Sequence, residues 1–76
     1  MMPQELWHLP EAWPGVDGEP VSCRDKVRVL VANHKELAGV MQDAFEDALV
    51  IGVDEAAMRQ ILIDLVAQMR PPKTLP

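Results

Sequence analysis

Seventy-six residues make one domain at most, and twelve acidic against seven basic side chains leave a net charge of -5. A core of this size covers only about 60% of the surface the unfolded chain exposes, so it is marginal without a disulfide, a metal or a second chain. The lone Cys23 excludes an internal disulfide, the acidic balance argues against broad electrostatic binding of nucleic acid, and the longest uncharged apolar stretch, Ala48 to Val53, falls far short of the roughly 20 residues of a membrane span.

Residues 1–21 hold Pro3, Pro10, Pro14 and Pro20. Proline fixes φ and drives the residue before it out of the α region, so this stretch reads as an irregular arm and not as a helix. Leu6, Trp7, Leu9 and Trp13 give it apolar weight that plain disorder lacks. Glu5 and the early prolines differ from the basic start and apolar run of a signal peptide. With the unpaired Cys23, that leads to the expectation of a cytoplasmic protein.

Residues 22–70 read as the folding domain. Ser22, with Asp25 three residues on, resembles a weak capping box. From there Cys23, Val27, Leu30, His34, Leu37, Met41, Ala44, Ala48 and Ile51 recur at alternating spacings of four and three, the a/d pattern of a helix packed along its length. Val31, Ala38 and Phe45 widen that stripe. The spacing predicts a long helix over about 23–51, ended by Gly52 as a left-handed C′ residue. Asp54 is positioned to cap a second helix over about 55–69, in which Met58, Ile61, Leu62, Leu65, Val66 and Met69 share a face and Glu55 can pair with Arg59. Arg70-Pro71-Pro72 stops it, leaving 71–76 as a proline-rich tail.

A β-α-β-α alternative rests on the β-branched run within residues 26–32 and on Leu49-Val50-Ile51. It superficially resembles the opening of a response-regulator receiver domain. Receivers need acidic residues after the first strand, where this chain has Asn33 and His34, and two strands alone make a poor sheet. The expected class is therefore all-α: a helical hairpin that dimerises into a four-helix bundle.

The helices differ in length, about 43 Å against 22 Å at 1.5 Å per residue. The shorter one can cover its antiparallel neighbour only back to about Leu37. Val27, Leu30, Val31, His34, Leu37 and Met41 then form a seam that needs cover, either from the arm or from a second chain. A homodimer is the expectation.

Candidate sites are few. His34 is the ionisable member of the stripe; a metal, a haem or a pH switch between two copies competes with a plainer role in fixing register. No second ligand sits at i+3 or i+4, so no metal or cofactor is assigned. Cys23 reads as a small packing residue, with a reactive thiol at the helix start as the alternative. Asp43, Glu46 and Asp47 crowd like charges at i, i+3 and i+4, toward the end where the helix dipole prefers cations. A basic partner or a solvated face both account for them. Arg24, Lys26 and Arg28, with Lys35, are a weak nucleic-acid signal. Trp7, Leu9 and Trp13 have the composition of a docking peptide or of an arm packed on its own helix.

Catalysis has the least to draw on. One Ser, one Thr, one Asn and no Tyr leave nucleophile, base and oxyanion donors nearly absent. The functional expectation is a non-enzymatic protein–protein interaction module (adaptor, accessory subunit or regulator) acting as a homodimer. Ligand or metal binding centred on His34 and nucleic-acid binding are the alternatives.

Overall fold

A computed structural model describes residues 9–73; Trp7, and the rest of the arm before Leu9, lie outside the described residues. Among the described residues the chain forms two helices and no strand, α1 (Arg24–Ile51) and α2 (Glu55–Ala67). The two-helix, strand-free architecture agrees with the hairpin expectation. Residues 26–32 lie wholly inside α1, so helical packing overrides the strand propensity of their β-branched side chains. The chain divides into two compact units between Gln42 and Asp43.

In the first unit the arm is more ordered than its prolines suggest. Pro14 and Pro20 form an isolated antiparallel bridge, closed by bonds from the Val21 N–H to the Trp13 carbonyl (2.8 Å) and from the Gly15 N–H to the Glu19 carbonyl (2.8 Å). A turn over Gly15–Gly18 joins the two sides, its Gly18 N–H donating to the Gly15 carbonyl at 3.1 Å. Gly18 takes φ +87°, a left-handed conformation that glycine adopts without steric cost. Asp17 Oδ1 accepts from the Glu19 N–H at 3.0 Å, the local bond that favours aspartate in turns. Gly15 is required for a different reason: a Cβ there would meet the Glu19 carbonyl oxygen at 2.7 Å.

The start of α1 falls one residue later than Ser22 predicts. The Val27 N–H donates to the Cys23 carbonyl at 2.9 Å, which puts Cys23 in the N-cap position. Its thiol faces the N–H groups of Lys26 and Asp25 and takes the place expected for the serine hydroxyl.

The second unit holds the end of α1, the turn and α2. Gly52, at φ +118°, donates to the Leu49 carbonyl (3.1 Å) while Val53 donates to the Ala48 carbonyl (2.9 Å), the paired bonds of a Schellman motif. Asp54 then caps α2, its carboxylate accepting from the Ala57 N–H at 2.9 Å. α2 stops at Ala67, two residues short of the predicted Met69, because Gln68 takes a C-cap position and turns its N–H back to the last carbonyls. Glu55 pairs with Arg59 as the i, i+4 spacing predicts. The Arg59 guanidinium also lies 4.8 Å from the centre of the Phe45 ring, tying α2 to the end of α1 through a cation–π contact.

Candidate functional site

α1 carries two stripes of unlike exposure. Val27, Leu30, Val31, His34, Ala38, Met41, Phe45, Ala48 and Leu49 are half-buried, spaced three and four apart, and so lie on one side of the helix. Trp13 covers part of it. Its ring meets His34 edge to face, centroids 6.0 Å apart and planes at 78°, and with Leu30, Asn33 and Leu37 the pair lines a shallow cleft of about 200 Å³. The predicted seam therefore lies partly under the chain's own arm. Five of its members are half-buried, whereas Leu37 is 53% exposed.

The rest of the apolar surface is open. No described residue is buried, and thirteen large apolar side chains are exposed. On α1 these include Val29, Val40, Val50 and Ile51; on α2, Ile61, Ile63, Leu65 and Val66. Only Met58 and Leu62 of the predicted α2 face are half-buried, while Ile61, Leu65, Val66 and Met69 each stay more than half exposed. Sequence periodicity identified both apolar faces; it does not tell which members a neighbouring element reaches.

The charged candidates are all exposed. Arg24 and Arg28 share one side of α1 with Lys35, but Lys26, two residues from each arginine, points away from it, so the helix does not gather all four cations. Asp43, Glu46 and Asp47 lie in the last three turns of α1, which has no basic residue in its final turn. Leu9 is 40% exposed. Among the described residues no group of three or more His, Cys, Asp and Glu side chains converges, and His34 has the Trp13 ring against its edge.

Cys23 is exposed, and the Lys26 and Asp25 backbone N–H groups, assisted by the Lys26 charge, hold its thiol below the ordinary cysteine pKa. Beside it an open groove of about 600 Å³ runs along the Pro14–Val21 loop to Lys26. The loop that forms this groove was missed from sequence, although Pro14-Gly15 and Asp17-Gly18 are both turn signals.

The class these features define is a two-helix protein with incompletely covered apolar faces. No helix among the described residues is long and apolar enough to cross a membrane. No protein-family model, curated protein or solved structure matches the chain.

Proposed function

We propose that this chain is a protein–protein interaction module, an adaptor, accessory subunit or regulator, working in the cytoplasm as a homodimer of helical hairpins. The observation that supports this reading is the pairing of an empty core with thirteen exposed large apolar side chains. Full burial of a fully exposed side chain of this kind contributes roughly 1.5–3 kcal/mol, so a second surface that covers half of these partly exposed ones contributes an amount of the order of an ordinary small domain's stability. The best-defined uncovered faces are helical and run along α1 and α2, which suits a four-helix bundle of two hairpins. The reading is non-catalytic because the side-chain inventory offers almost no nucleophile or oxyanion donor.

Thermal unfolding across a hundred-fold range of protein concentration tests it. A dimer couples folding to mass action, so its midpoint rises with concentration. A midpoint independent of concentration overturns the proposal.

A further inference from the structure

We draw no further inference here: the strongest candidate, the exposed Cys23 thiol at the start of α1 beside the groove along the Pro14–Val21 loop, is a lone cysteine at a helix N-terminus, and nothing among the described residues shows a ligand for it.

Discussion

Trp13 and His34 meet edge to face, 6.0 Å between ring centres and 78° between planes, although twenty-one positions separate them in the chain. This contact fastens the arm to the first half of α1. Among the described residues the His34 side of α1 is thus partly closed by Trp13, whereas Val29 and Val40 stay more than half exposed.

Trp13→Ala therefore removes a half-buried aromatic ring and its pairing with His34. Aromatic pairs contribute about 0.5–1.5 kcal/mol beyond the area they bury, so a loss of about 2 kcal/mol is expected, measured by urea denaturation at fixed protein concentration. The near-ultraviolet circular dichroism changes with it. A variant with unchanged stability would show that the ring rests on the helix without holding the arm.

The arm's own loop is equally specific. Gly15→Ala drives a methyl group to 2.7 Å from the Glu19 carbonyl oxygen, which the backbone must move to relieve. A cost of about 1–3 kcal/mol follows, as for other overpacked sites. Gly18→Ala meets no atom within 4 Å and loses only the left-handed backbone preference, so its cost is smaller, near 1 kcal/mol.

The turn between the helices rests on Gly52 and Asp54. Gly52→Ala, at φ +118° in open space, is strained through its backbone alone, and Asp54→Ala removes the cap on the Ala57 N–H. Each change is expected to cost about 1 kcal/mol, a fall of roughly 4–8 °C in the melting midpoint of a domain this size. Asp54→Asn retains most of the stability, because the amide oxygen caps as well as the carboxylate.

Cys23 reacts as its position dictates. Its thiol pKa is lowered in the folded chain, first by the Lys26 and Asp25 backbone N–H groups. The pH profile of alkylation by iodoacetamide thus has a lower midpoint in buffer than in concentrated urea, where those groups no longer converge. The sign for stability follows by linkage: a depressed folded pKa contributes above the unfolded thiol pKa and is lost as pH falls through the folded value. Coinciding profiles in buffer and urea would contradict the N-cap placement.

Much of this architecture is legible in the residues. The alternating four-three spacing from Cys23 to Ile51 anticipates α1, Gly52 its end and Asp54 the start of α2, because each is a local requirement of backbone geometry. The Pro14–Pro20 loop was less legible, since its bridge depends on hydrogen bonds between residues eight and four apart and not on periodicity. The exposure of Val29 and Val40 was harder still, because both lie off the most apolar stripe and periodicity does not tell which side of α1 Trp13 occupies.

Sedimentation equilibrium of the full chain at tens of micromolar tests the central claim most directly. A homodimer gives a mass of twice 8.5 kDa, shifting toward the monomer on dilution and in Leu37→Asp. A compact 8.5 kDa monomer throughout that range would contradict it.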